Sequence, residues 1–448
     1  MSVAAGIAHP RDSCGSPETT ARKTSAGSAI PPAAAIALGL ANSPWSASFA
    51  ALWETPLGLR AGPFHVERSL GWVVNDGLMA IFFFVVGMEI RRELHQGELS
   101  EWRRDTLPAA AALGWMIVPA LFYLALAGAP PTRAGWGAPM ATDIAVAIGV
   151  LALLGKRVPA ALRVLLLALA VIDDLGAILV IAVFYSSGVS PAGLAVVAAG
   201  ALGIFGLRAL GVRHKIAYIL PAVVLWAGTY ATGLHPTIAG VMVGLVTPVR
   251  AWLGEARKLE ALARDVASAP ADAHEVALRL RRLEVARREM LSPAEALIET
   301  LHPWVAFAIM PAFALANAGV SFEGVGLSGE RGAVALAVSV GLVLGKPVGV
   351  LAFSALAVRT GLARLPAGLG ARHLVVLGTV AGIGFTMSIF IAQLAFGDPA
   401  LLGAAKLGVL IASGLAAVLA LVLGRVLLPP VGPSAARTAD EAEGETAR

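Results

Sequence analysis

Charge is scarce in this sequence. Only 14% of its 448 residues are Asp, Glu, Lys or Arg, against about 25% in an ordinary soluble domain. Hydrophobic residues make up 57%. A soluble fold of this length could not hide that much apolar surface and still coat itself with polar groups. Cysteine is almost absent. The single Cys14 excludes an intrachain disulfide framework and a cysteine metal cluster. No cleavable leader is legible either, because residues 1–24 are polar and carry no apolar run before a cleavage site. The first membrane span is therefore expected to act as its own insertion signal.

What the chain has instead is a series of apolar stretches, and a span needs about 20 such residues. Twelve are expected: 28–48, 70–88, 106–127, 138–154, 162–185, 190–207, 216–231, 234–249, 303–320, 333–358, 373–396 and 401–428. The fold class is thus an all-α polytopic membrane protein. Pro31, Pro32 and Pro44 interrupt the first stretch. Residues 1–27 and 430–448 read as polar cytoplasmic tails, leaving 28–429 as the membrane domain.

Loop charge tests the count, because Lys and Arg favour the cytoplasmic side. With the N-terminus inside and all twelve stretches crossing, twenty-eight of the 34 bases fall inside. Only Arg60, Arg68, Arg133 and Arg331 fall outside, while Lys346 and Lys406 lie in or at the edge of spans. An error in the count would scramble this alternation from that point onward. Both termini are accordingly expected in the cytoplasm, with the chain in a bacterial inner membrane. Two connections are long. Residues 54–68 alternate apolar and polar around Ala61-Gly62-Pro63, as an extracytoplasmic β-hairpin would. Residues 250–300 form a charged cytoplasmic connector with Val276, Leu280, Leu283 and Met290 at helical spacing.

The informative charges are those inside the spans. Each costs roughly 2.5–3.5 kcal/mol at mid-bilayer. Asp76 lies in the second span. Asp143 is the only charge between Gly135 and Gly155, and Lys346 the only one between Gly332 and Val358. Asp173 and Asp174 are alone between Val164 and Phe184. A structural salt bridge would explain one acid with Lys346 and leave the rest unexplained. Asp173 and Asp174 point about 100° apart around a helix, so one can line a watery funnel while the other faces a neighbouring helix. Close carboxylates in a low dielectric resist ionising together and titrate as a coupled pair. A cation and protons would compete for them. Lys346 is a partner for one acid, and the sequence leaves open which.

Two spans look broken. The fourth carries Gly135, Gly137, Pro139 and Ala141-Thr142-Asp143. The eleventh carries Ala381-Gly382-Ile383-Gly384-Phe385-Thr386-Met387-Ser388. Unwound helices leave opposed ends whose dipoles need compensating charge. Asp143 can serve the positive ends and Lys346 the negative ones. The two segments occupy corresponding places in spans 3–5 and 10–12, the pattern of inverted repeats that cross at mid-membrane.

The runs Asn75-Asp76-Gly77-Leu78-Met79, Val86-Gly87-Met88-Glu89, Ala141-Thr142-Asp143-Ile144-Ala145, Ile172-Asp173-Asp174-Leu175-Gly176, Leu301-His302-Pro303-Trp304, Ala316-Asn317-Ala318-Gly319-Val320, Gly345-Lys346-Pro347 and 382–391 together resemble the NhaA-type bacterial Na+/H+ antiporters. That family is itself a known example of the inverted-repeat architecture. The resemblance runs from about residue 30 to 428. It implies electrogenic, pH-activated exchange of Na+ or Li+ for H+, without a cofactor and without an enzymatic reaction. It places ion binding on Asp173 and Asp174, with Asp174 the more direct ligand. Thr142, Asp143, Lys346, Gly382, Gly384 and Thr386 fall at the unwound helices and their supporting charge, with Asp76 secondary. Glu89, Arg92, Glu93 and Glu299 fall in the pH-response region. The implied partners are sodium, protons, the lipid bilayer and a second copy of the chain docked through hairpin 54–68; no nucleic-acid partner is expected. One departure stands out: Ile298 occupies the place of a pH-sensing Glu in the family pattern, with Glu299 one position later.

Three other classes of membrane protein also carry intramembrane charges. An intramembrane aspartyl protease would carry Gly-x-Gly-Asp, which does not occur. A passive channel fits poorly with carboxylates beside a buried lysine. A sodium-coupled organic-solute symporter on a related fold remains the alternative.

Overall fold

The computed structural model describes residues 29–61, 64–96, 106–186, 188, 190–212, 215–249, 292–322, 328–366 and 368–429. The expected tails and residues 250–291 of the expected connector lie outside these residues. In chain order the elements are α1 (Ile30–Ala41), α2 (Ser46–Glu54), β1 (Pro56–Ala61), β2 (Phe64–Ser69) and α3 (Leu70–His95). Next come α4 (Thr106–Leu126), a 3-10 segment (Thr132–Met140), α5 (Ile144–Leu153), α6 (Ala160–Phe184), α7 (Pro191–Ala209), α8 (Ile219–Thr232) and α9 (Thr237–Val246). The last are α10 (Pro293–Asn317), α11 (Gly329–Arg359), α12 (Ala371–Ala381), α13 (Phe385–Ala395) and α14 (Pro399–Leu427).

Seven of these helices are long and apolar enough to cross a membrane: α3, α4, α6, α7, α10, α11 and α14. Two further pairs pass the same test together. The 3-10 segment and α5 are bent by 48° at their break, and α12 and α13 by 52°. The protein is therefore a multi-pass membrane protein with seven to nine such spans among the described residues. The apolar helices at the expected first, seventh and eighth stretches are shorter than a full crossing. In the first, Pro31 and Pro32 occupy the opening turn, where a missing N–H costs nothing. They start α1 rather than interrupt it. Its end is tied down by Asn42, which donates to Leu38 O and Val320 O and accepts from Phe322 N. α8 ends because Gly233 adopts φ +88°, a left-handed cap that other residues avoid.

The chain divides into two compact units, with boundaries inside α3 and α10. The first comprises residues up to 79, 101–188 and 306–448. Here β1 and β2 pair antiparallel, Pro56 opposite Ser69 and Ala61 opposite Phe64. Lipid is as apolar as leucine, so helices in a membrane associate through close packing of small residues. α4 and α11 meet this way. A Cβ on Gly114 would lie 2.2 Å from Gly349 O, and one on Gly349 would lie 2.1 Å from Gly114 O. Gly408 likewise brings α14 against Ala335 of α11. Gly349→Val is expected to destabilise the fold by at least the ~1–3 kcal/mol typical of overpacking. Gly39→Ala, which meets nothing within 4 Å in α1, is the matched control. Thermal melting in detergent separates the two; equal melting points would refute the backbone contact.

The second unit comprises residues 80–100 and 189–305. In it α7 and α8 run antiparallel through glycines, with Gly193 against Thr232, Gly200 against Leu225 and Gly228 against Val197. α9 packs on the 80–95 part of α3 through Gly240 against Ala80 and Gly244 against Gly87.

Candidate functional site

The site lies within the first unit, where the two bent pairs meet. Residues 141–143 run extended between the 3-10 segment and α5, so their backbone groups have no helix to satisfy them. Buried in an apolar environment, each such group costs several kcal/mol unless it finds a partner. The other break and its neighbours supply these partners. Asp143 N donates to Ile383 O at 2.7 Å. Thr142 Oγ1 donates to Ala381 O at 3.1 Å, and Ser388 Oγ to Ala141 O at 3.3 Å. Thr142 N donates to Asp173 Oδ2 at 3.1 Å. The last carbonyl of the 3-10 segment, Met140 O, accepts from the Lys346 ammonium.

Asp143 serves two helix starts at once. Its Oδ1 accepts from Val146 N at 3.1 Å in the first turn of α5. Its Oδ2 accepts from Thr386 N at 3.2 Å and Thr386 Oγ1 at 2.5 Å in the first turn of α13. An anion is stabilised at a helix N-terminus, where orphan N–H groups and the dipole both favour it. One carboxylate therefore neutralises two convergent positive ends. The adjacent Phe385 N is taken by Ser413 Oγ of α14 at 3.0 Å.

Lys346 follows a π-helical stretch of α11, Gly341–Gly345. Its side chain is completely buried. Besides Met140 O, its Nζ donates to Thr142 Oγ1 at 2.6 Å, and it sits 4.7 Å from the centre of the Trp115 ring. Asp173 is near enough to feel its charge. The acid left open by the sequence is thus joined to the lysine through Thr142, whose hydroxyl meets the ammonium while its N–H meets the carboxylate. Asp173 is 2% exposed and its second oxygen, Oδ1, has no hydrogen-bond partner. Asp174, one residue on, is only half-buried. The two acids thus differ in environment as their angular separation on α6 requires.

The breaks are close-packed rather than merely flexible. Gly382 and Gly384 have negative φ, so neither needs a glycine conformation. A Cβ on Gly382 would lie 2.6 Å from Leu342 O, and one on Gly384 would lie 2.0 Å from Ser388 Oγ. Asp76 lies in a π-helical stretch at the start of α3, Val73–Leu78, within electrostatic reach of Arg68. Its neighbour Asn75 accepts from Asn317 Nδ2 at 2.7 Å, and Asn317 Oδ1 in turn accepts from Gln393.

The residues expected in pH response belong to the second unit. Arg92 and Glu93 approach to 3.8 Å, with Glu93 buried and Glu89 half-buried. On α10, Ile298 is buried and Glu299 exposed.

Sequence reading missed Trp115 and Ser413 as contributors, and quoted Ser388 only as the end of the broken eleventh-span run. Ser413 had a usable signal, being the only hydroxyl residue in the uncharged run 407–424. A lone hydroxyl in an apolar span must find a partner. Trp115 had none, since an aromatic in an apolar stretch is ordinarily packing.

Thr386→Val is expected to cost about 1.5–3 kcal/mol, the range for a hydrogen bond to a charged group, while Thr386→Ser keeps the bond. Melting curves of both variants check this; equal losses would show that the hydroxyl does not matter.

Apolar crossing helices gathered around a few buried charges, with helix ends turned on those charges, define an integral membrane protein of the ion-handling kind. Comparison with known sequences is specific. The profile described as Na+/H+ antiporter 1 matches residues 18–423. A Na(+)/H(+) antiporter NhaA 2 of Myxococcus xanthus is 64% identical over 423 residues, covering 93% of this chain and 90% of that protein. Its counterpart in Sorangium cellulosum is 55% identical, covering 92% and 90%. One in Pseudomonas putida is 54% identical, covering 88% of each. The chain belongs to the Na+/H+ antiporter 1 family.

Proposed function

We propose that the chain extrudes Na+, or Li+, in exchange for protons, and that Asp173 and Asp174 bind both kinds of ion in turn. The observation that carries this reading is the pairing of a half-buried Asp174 with a buried Asp173 whose Oδ1 is unpartnered, beside an unwound backbone. A sodium ion needs several oxygens and negative charge. Two carboxylates, the Thr142 hydroxyl and nearby backbone carbonyls can offer both. Protons neutralise the same carboxylates, so occupancy by one ion excludes the other. Among the described residues no group of three or more His, Cys, Asp or Glu gathers as a transition-metal site would require.

If two protons replace each Na+, exchange moves net charge, which makes transport electrogenic and lets membrane potential drive it. Activity rises with pH because protons leave the shared carboxylates, with Glu89, Arg92, Glu93 and Glu299 adjusting the set-point. The relatives are named as antiporters; the chain is accordingly a transporter, with no cofactor and no covalent chemistry.

The three shorter apolar helices, taken with the nine crossings, make twelve spans, and the bent pairs are the discontinuous helices of two inverted repeats. Helix ends facing Asp143 and Lys346 support that arrangement. Loop charge supports an inner-membrane location with both termini cytoplasmic. Hairpin 54–68 is the surface through which two copies associate.

Na+-triggered proton movement in proteoliposomes, scanned from neutral to alkaline pH, tests the reading. A signal that grows with pH supports it. No signal from correctly inserted protein would turn attention to sodium-coupled uptake of an organic solute.

A further inference from the structure

Trp115 is the largest fully buried side chain among the described residues, and only its ring face meets Lys346. Its placement follows from packing. Because Gly114 of α4 touches Gly349 of α11, the residue beside Gly114 comes to lie next to Lys346, one turn before Gly349. The ring then faces the ammonium at 4.7 Å, a cation–π distance. Its other end matters as much. Five buried side-chain polar atoms lack a hydrogen-bond partner among the described residues, and two of them are Trp115 Nε1 and Asp173 Oδ1. One is a donor and the other an acceptor. The indole N–H is close enough to act on the Asp173 carboxylate as a donor, while neither Nε1 nor Oδ1 completes a hydrogen bond of ordinary geometry. Buried polar atoms are seldom left unpaired, and an unsatisfied one in a native fold asks for an explanation.

We propose that Trp115 is a positioning residue of the ion site: its ring face holds the Lys346 ammonium, while its indole N–H closes on Asp173 Oδ1 when no cation is bound and yields that oxygen to the arriving sodium ion. The indole and the cation thus compete for one oxygen. This makes the position a determinant of apparent sodium affinity, with no contact between Trp115 and sodium. No bond is made or broken; a hydrogen bond is exchanged for a coordination contact. The inference rests on the antiport reading for its meaning, but not for its test.

Two substitutions separate the two ends of the side chain. W115F keeps an aromatic face for Lys346 and removes the N–H. W115L removes both. In proteoliposomes at a fixed alkaline pH, W115F is expected to lower the KM for Na+ by about three- to tenfold, the span of an ordinary hydrogen bond, with turnover within about twofold of wild type. W115L is expected to lose about tenfold or more in turnover as well, because Lys346 is then released. A KM unchanged or raised in W115F overturns the competition. Equal constants for W115F and W115L overturn the role of the ring. W115Y, which also lacks the indole N–H, takes the place of W115F if the latter does not insert, with the same direction of KM.

A second readout needs no transport. Adding NaCl to detergent-solubilised protein should change tryptophan emission in the wild type, and most of that change should vanish in W115F. An identical change in both would sink the inference. A wild type that shows the Trp115 signal yet exchanges no protons would sink the antiport reading and leave this one standing.

Discussion

Asp174→Asn is expected to reduce Na+-triggered proton movement to background while leaving membrane insertion and melting temperature close to wild type. Asparagine preserves shape and one carbonyl oxygen, so packing changes little. It cannot carry a negative charge or accept a proton at ordinary pH, and both halves of the exchange need one or the other. The side chain is half-buried, so a neutral isostere there disturbs little packing. Asp173→Asn should behave differently. Asp173 is buried and its Oδ2 holds Thr142 N at the unwound stretch, so that variant should lose exchange and stability together. The pair of variants therefore distinguishes an ion ligand from an ion ligand that is also a strut. The measurement is proton flux in proteoliposomes beside a detergent melt. Exchange retained in Asp174→Asn would remove that residue from the site, and Asp173 would have to carry it alone.

Much of this was legible in the sequence because a membrane makes exceptions conspicuous. Asp143, Asp173, Asp174 and Lys346 each stood as isolated charges in apolar runs, and a charge kept at a cost of several kcal/mol marks a place of use. The break sites were visible as glycine and hydroxyl clusters. What stayed hidden was set by distance in three dimensions. The lysine's attachment to Met140 O and Thr142 Oγ1 requires knowing that α11 passes the end of the 3-10 segment. The single carboxylate shared by α5 and α13 requires the two breaks to meet. The sequence assigned Asp143 to the positive helix ends but could not supply the atoms, Oδ1 to Val146 N and Oδ2 to Thr386 N. Proline misled in the other direction. Pro31 and Pro32 read as interruptions because a span was sought from residue 28, whereas they sit where α1 begins. Trp115 was invisible because its role depends on a glycine contact between α4 and α11, which leaves no trace in the periodicity of either helix.

Lys346→Ala is the second large effect. The change strands three groups at once. Met140 O loses its donor at the end of the 3-10 segment, Thr142 Oγ1 loses its ammonium, and the charge of Asp173 loses its counter-charge in a buried setting. Leaving a buried charge without its counter-charge costs about 3–5 kcal/mol, a large share of the ~5–15 kcal/mol that holds a typical protein folded. A marked fall in melting temperature and loss of exchange are expected together. The single variant does not say which stranded group matters most, but a cycle with Asp173→Asn does. If the lysine acts mainly as counter-charge, the double variant should recover part of the loss. It should then melt above the sum of the two single effects by a coupling of roughly 1–3 kcal/mol. If the lysine acts mainly as a cap on Met140 O, the losses should add. The geometry favours coupling, because Thr142 links the two side chains through one residue, hydroxyl to ammonium and N–H to carboxylate. Additive losses, with exchange unaffected by restoring charge balance, would show that the lysine holds the unwound helix in place and that the carboxylate is charged or neutral without reference to it.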